Sequence, residues 1–150
     1  MNLSQLLDSQ EGLPLSTLKM MKLKKSVIKR LMLNENTTIA DICRDTQVSV
    51  PTVTKVISEL IEDNIVFEKG KIASPGGRRP FTYGINPNSA FFLGVDVHRN
   101  FISIGLQNFT NEFVKVSTSI DYTLVNTRES LYQMCDIINR FITKSGIKRE

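Results

Sequence analysis

The sequence predicts an α+β chain in two parts: three helices closed by a β-hairpin over residues 16–86, then three strands and a helix over residues 90–150. Three observations carry this. Before Asn64, apolar residues recur at steps of three and four, the rhythm of helices with one buried face. After it, short β-branched runs take over. Between the two parts, Asn86-Pro87-Asn88 punctuates the chain as a linker.

Residues 1–15 read as a short leader, helical or loose, with Gly12 and Pro14 near its end. The first helix follows from Ser16 to Leu33, with Met20, Leu23, Val27, Ile28 and Leu31 as its buried stripe, and Asn34-Glu35-Asn36 breaks it. A second, short helix starts at Thr37 or Thr38, where Asp41 three residues on suits a capped N-terminus. Ile39, Ile42 and Cys43 are expected to face inward, and the helix ends near Thr46, with Gln47-Val48 as the turn. Ser49 opens the third helix as an N-cap, and Pro51 occupies a first-turn position where a missing N–H goes unused. Val50, Val53, Ile57, Leu60 and Ile61 form its expected inner face up to Asp63. Ile65-Val66-Phe67 and Phe81–Ile85 then read as paired strands, with Glu68 to Arg79 as a polar loop.

The second part holds runs at Phe91–Val97, Phe101–Gln107 and Phe113–Ile120, joined by short polar turns. From Thr127, the residues Leu131, Met134, Cys135, Ile138 and Phe141 keep helical spacing to Lys144. Three strands and one helix make a thin sheet with only one face covered, which is marginal at this size. The expectation is a piece of a longer protein, or a sheet completed by a partner.

Composition limits the function classes. Hydrophobic content of 41% and charged content of 23% are ordinary for a globular chain, and no run approaches the roughly 18 to 20 apolar residues of a bilayer span. No secretory signal is visible, and Cys43 and Cys135 read as packed, reduced thiols, so the cytoplasm is expected and no membrane. His98 is the only histidine, so no metal site, catalytic pair or bound cofactor is expected. No glycine-lysine-serine/threonine ending follows a strand, which excludes a P-loop. Asp121 and Asp136 read as surface charges.

The formal charge of +4 says little, but its distribution says more. Lys19, Lys22, Lys24, Lys25, Lys29 and Arg30 crowd the first helix, and Arg78-Arg79 sit in a glycine-rich loop. Such a run is also what a solvated helix face looks like. The third helix lies between the two clusters, and the N-terminal half of its outer face carries Thr52, Thr54, Lys55 and Ser58 with no carboxylate. An acid-free leading half is what phosphate-lined DNA demands of a helix entering the major groove. The arrangement therefore reads as a winged helix-turn-helix for double-stranded DNA. Ser49, Pro51, Thr52, Thr54, Lys55 and Ser58 are the candidate reading residues, and Lys24, Lys25 and Thr38 the candidate backbone contacts. In the wing, Gly76 and Gly77 permit close approach while Arg78 and Arg79 suit a narrow, negatively charged minor groove. A solvated hairpin tip is the alternative there, and a protein-interaction module the alternative for the domain.

From Thr38 to Asp96 the chain resembles the ROK family (repressors, open reading frames and kinases), in particular its xylose- and N-acetylglucosamine-type repressors. The residues that carry this are Ser49-Val50-Pro51-Thr52-Val53-Thr54-Lys55, Gly76-Gly77-Arg78-Arg79-Pro80, Asn86-Pro87 and Leu93-Gly94-Val95-Asp96-Val97. The resemblance extends thinly over residues 1–15 and beyond Glu112. It implies that residues 90–150 begin an actin-like, ribonuclease-H-like sugar-binding domain, incomplete here. It also implies a homodimer on an operator, with a sugar or sugar phosphate as effector. Kinases of the family carry Gly-Gly-Thr after the aspartate to cradle ATP phosphate; here Val97-His98-Arg99-Asn100 follows Asp96. The family's catalytic aspartate and histidine-cysteine zinc motif would fall beyond residue 150. The resemblance therefore implies a regulator without enzyme activity, with a sugar kinase bearing a DNA-binding head as its rival, and Asp96 as a structural strand-end residue.

Overall fold

The computed structural model describes residues 12–71 and 79–147. The chain divides into two compact units, Met1–Ser89 and Ala90–Glu150.

The first unit begins with α1 (Leu15–Leu33), whose inner face is Met21, Lys24, Val27, Ile28 and Leu31. Met20 and Leu23, expected in that stripe, are only half-buried. Neighbouring helical positions point about 100° apart, so the phase of the stripe was decided by what packs against it. Thr37 and Thr38 form a two-residue strand, β1, and Thr38 is also the N-cap from which the next helix starts. Helix α2 (Ile39–Thr46) is opened by a complete capping box. The Asp41 amide donates to the Thr38 hydroxyl oxygen at 3.2 Å, and the Thr38 amide donates to the Asp41 carboxylate at 3.0 Å. Ile42 is fully buried, and Ile39 and Cys43 are half-buried.

Gln47, in the left-handed region at φ 56°, ends α2 and turns the chain into α3 (Val50–Glu62). The Ser49 side chain caps no amide; its hydroxyl instead pairs with that of Thr52 at 3.0 Å. Val53, Val56, Ile57 and Leu60 are the buried face of α3, whereas Val50 and Ile61 are exposed. Asn64 (φ 57°) closes α3: its amide donates to Ile61 and the Ile65 amide to Leu60, the paired bonds of a Schellman ending.

Strand β2 (Val66–Lys71) runs further than the sequence predicted, because a bulge between Glu68 and Gly70 carries it past the polar residues. Gly70 has φ 125°, a backbone state open to glycine. Strand β3 (Phe81–Ile85) lies between β1 and β2 in the order β1-β3-β2. Ile85 and Val66 of the strands are buried, as are Val27, Ile42, Val53 and Leu60 of the helices. Asn86 anchors the exit: its side chain donates to the Asn64 carbonyl at 2.9 Å and accepts from the Asn88 amide at 3.0 Å, leading into a short 3-10 turn at Pro87–Ser89.

In the second unit, β4 (Phe91–Val97), β5 (Phe101–Asn108) and β6 (Phe113–Asp121) form an antiparallel meander. Helix α4 (Arg128–Thr143) covers one face. Even-numbered β5 residues are buried and odd ones half-buried, the period of a sheet with one packed side. Ile102, Ile104 and Leu106 meet Ile137 and Phe141, and Tyr122 completes the cluster. The Tyr122 and Ser130 hydroxyls pair at 2.7 Å, satisfying two polar groups inside this layer. Cys135, expected in the core, is exposed, as is Leu131. Helix α4 turns Ile137 to the sheet in their place. Phe92, Phe113 and Val116 stand exposed on the sheet's other face.

Candidate nucleic-acid interface

The expected reading residues fall on one accessible surface. Ser49, Pro51, Thr54, Lys55 and Ser58 are exposed and Thr52 is half-buried. The apolar face of α3 is seated on α1 and α2, so these side chains project from a braced helix. Carboxylates occur only in its second half, at Glu59 and Glu62 and at the C-cap Asp63.

Two expected backbone contacts are placed elsewhere. Lys24 is buried at 4% exposure, and its ammonium pairs with Glu59 of α3 at 2.7 Å. It ties two helices together and is not available to a phosphate. The reason is its position on the inner stripe of α1, where an ammonium must find a counter-charge. Thr38 is also buried, and its hydroxyl both accepts from the Asp41 amide and donates to the Asp41 carboxylate at 2.7 Å. That bond is the main reason the Asp41 carboxyl is held below its ordinary value of 3.8. Lys25 is exposed.

Of the residues expected to form a wing, Arg79 is exposed, and Gly76, Gly77 and Arg78 lie outside the described residues, as do residues 1–11 of the expected leader. Arg79 borders a cleft between the first turns of α2 and α3 and the β2–β3 hairpin. Val50 and Thr54 line its α3 side, Ile39 and Ala40 its α2 side, and Lys71 and Phe81 the hairpin. The Lys71 ammonium lies over the Phe81 ring, 4.8 Å from its centroid. Tyr83, which is buried, also lines it; burial first, and the charge of Glu68 second, push its phenol above 10.0. Sequence reasoning had singled out neither Lys71 nor Phe81. The only signal was their place at the two mouths of the glycine-rich loop, and the bulge that brings Lys71 opposite Phe81 is not legible in sequence.

In the second unit, Asp96 is the penultimate residue of β4 and its carboxylate meets the His98 ring at 2.9 Å. That ring stacks on Phe101 at 4.2 Å between centroids. Among the described residues, no three or more His, Cys, Asp or Glu side chains gather as a metal site. Nor is any described helix long and apolar enough to cross a membrane.

No family model matches the chain. It is similar to a putative xylose repressor of Caldicellulosiruptor sp. (strain Rt8B.4), 32% identical over 91 residues, which are 61% of this chain and 23% of that protein. The xylose repressor of Bacillus subtilis (strain 168) is 29% identical over 80 residues, 53% of this chain and 21% of its own length. Among solved structures, a ROK family transcriptional regulator, a homologue of the Escherichia coli MLC protein, superposes with a TM-score of 0.67 at 17% identity. That superposition covers 86% of this chain and 32% of the regulator, and it supports the mixed helix-and-sheet fold. The chain thus spans less than a quarter of the length of the curated relatives it matches. The resemblance to ROK-type repressors read from the sequence is borne out by these relatives.

Proposed function

We propose that this chain reads double-stranded DNA through a winged helix-turn-helix at residues 16–86, as part of a cytoplasmic, sugar-responsive repressor of ROK type without enzyme activity. The observation that supports this best is the exposed leading half of α3: Thr54, Lys55 and Ser58 stand clear of the core, with no carboxylate among them. Phosphates repel carboxylates, so a helix that enters the major groove keeps them away from its tip. Lys55 supplies charge, the hydroxyls donate to or accept from base edges, and Pro51 offers an apolar contact to a thymine methyl. Arg79, with Gly76, Gly77 and Arg78, serves the minor groove as the wing.

Residues 90–150 then begin an actin-like effector domain that binds a sugar or sugar phosphate in the whole protein. A homodimer would present two such heads to half-sites one or more helical turns apart, and the effector would alter their spacing. Val97-His98-Arg99-Asn100 in place of a glycine turn argues against phosphate cradling after Asp96.

The test is a fluorescence-anisotropy titration of the chain against mixed-sequence and AT-rich duplexes at two salt concentrations, repeated with the chain artificially dimerised. Binding that weakens steeply with salt and prefers one duplex is expected. If neither form binds either duplex at low salt, the proposal fails and a protein-interaction role takes its place.

A further inference from the structure

The cleft between the hairpin and the leading turns of α2 and α3 has a chemistry of its own. Lys71 and Arg79 charge its hairpin side, and among the described residues no carboxylate lines it. Its apolar surface includes Val50, 56% exposed, and Phe81, 41% exposed, with Ala40 on the α2 side. An exposed aromatic ring and an exposed valine facing two cations are costly to leave in water and match a ligand that alternates negative and apolar groups. A sugar–phosphate strand is such a ligand: one phosphate per nucleotide, with the carbon face of deoxyribose between.

Resting on the DNA-binding reading above, we propose that this cleft seats one backbone strand of the duplex, running between the groove entered by α3 and the groove met by the wing. Lys71 contacts a phosphate and Phe81 holds it in place. The ring face fixes the ammonium at 4.8 Å by cation–π attraction, so less side-chain freedom is lost when the phosphate arrives. The Phe81 edge and Val50 pack on the adjoining sugar. Because every sequence has the same backbone, this seat adds affinity without sequence preference.

The full chain, Lys71→Gln, Lys71→Arg and Phe81→Ala are titrated against the mixed-sequence and AT-rich duplexes between about 50 and 200 mM salt, with melting temperatures measured alongside. One phosphate contact contributes about −0.9 to the slope of log affinity against log salt, or roughly 3.5-fold across that fourfold range. Lys71→Gln is expected to lose that increment equally on both duplexes, Lys71→Arg to keep it, and Phe81→Ala to weaken both complexes with Lys71 still charged. If the unsubstituted chain binds and Lys71→Gln retains its slope, the seat is overturned while the DNA-binding reading stands. If Lys71→Gln weakens only one duplex, Lys71 reads bases and the backbone assignment is overturned. If the unsubstituted chain, dimerised or not, binds neither duplex, both readings fall together.

Discussion

Lys55 and Lys24 show how little a lysine's identity says without its burial. Both are helical and both were candidates for contact with DNA, yet Lys55 is exposed while Lys24 is enclosed against Glu59. Lys55→Glu is therefore expected to weaken duplex binding by at least tenfold, since it places a carboxylate on the acid-free half of α3; an unchanged anisotropy curve would refute this role. Thr38 makes a second residue-level case. Its hydroxyl keeps Asp41 ionised below the ordinary 3.8, so the cap contributes stability that is fully present above that pH and lost as pH falls through the lower folded value. Thr38→Ala should destabilise the fold by about 1 kcal/mol and return the Asp41 titration toward 3.8, both measurable by urea unfolding and NMR titration. An Asp41 titration unmoved by the substitution would count against the hydroxyl as its main cause.

Among elements, the α1–α3 contact carries a charge into the interior. Removing Glu59 strands the Lys24 ammonium, which is only 5% exposed as a side chain, whereas Glu59 itself keeps 32%. Glu59→Ala should cost roughly 2 to 3 kcal/mol, less than a fully buried pair because water still reaches the carboxylate's site. Glu62→Ala, on the exposed side of the same helix, should cost under about 0.5 kcal/mol. Equal urea midpoints for the two variants would remove the pair from the account of stability. The same logic applies in α4, where Ile137 faces the sheet and Cys135 faces out. Ile137→Ala is expected to lose about 2 to 5 kcal/mol and Cys135→Ala almost nothing, and a native-state thiol-labelling reagent should modify Cys135 readily.

For the chain as a whole, a net charge of +4 is too small to bind DNA by attraction alone, so the placement of cations matters more than their number. Arg128 of the second unit and Lys55 of the first each contribute one charge, and both are exposed. Lys55→Gln should lower the salt slope by about one unit, while Arg128→Gln leaves it intact. Equal loss from both would mean that affinity follows total charge and not the face built on α3.

Local chemistry made most of the elements legible. The three-and-four spacing marked the helices, Thr38 and Asp41 marked the start of α2, and alternating β-branched runs placed β4, β5 and β6 within a residue of their ends, because these signals act over a few neighbouring positions. What sequence could not decide depends on partners far along the chain. Met20 against Met21, and Cys135 against Ile137, are choices of helix phase made by the opposing surface. The strand at Thr37–Thr38 exists only because β3 lies beside it, and two residues are too few to show a period. The cleft of Lys71, Phe81 and Val50 joins three elements through a bulge and a helix turn. Spacing along one element fixes which residues can share a face, but only packing selects which of those faces is buried and which cations remain free to meet another molecule.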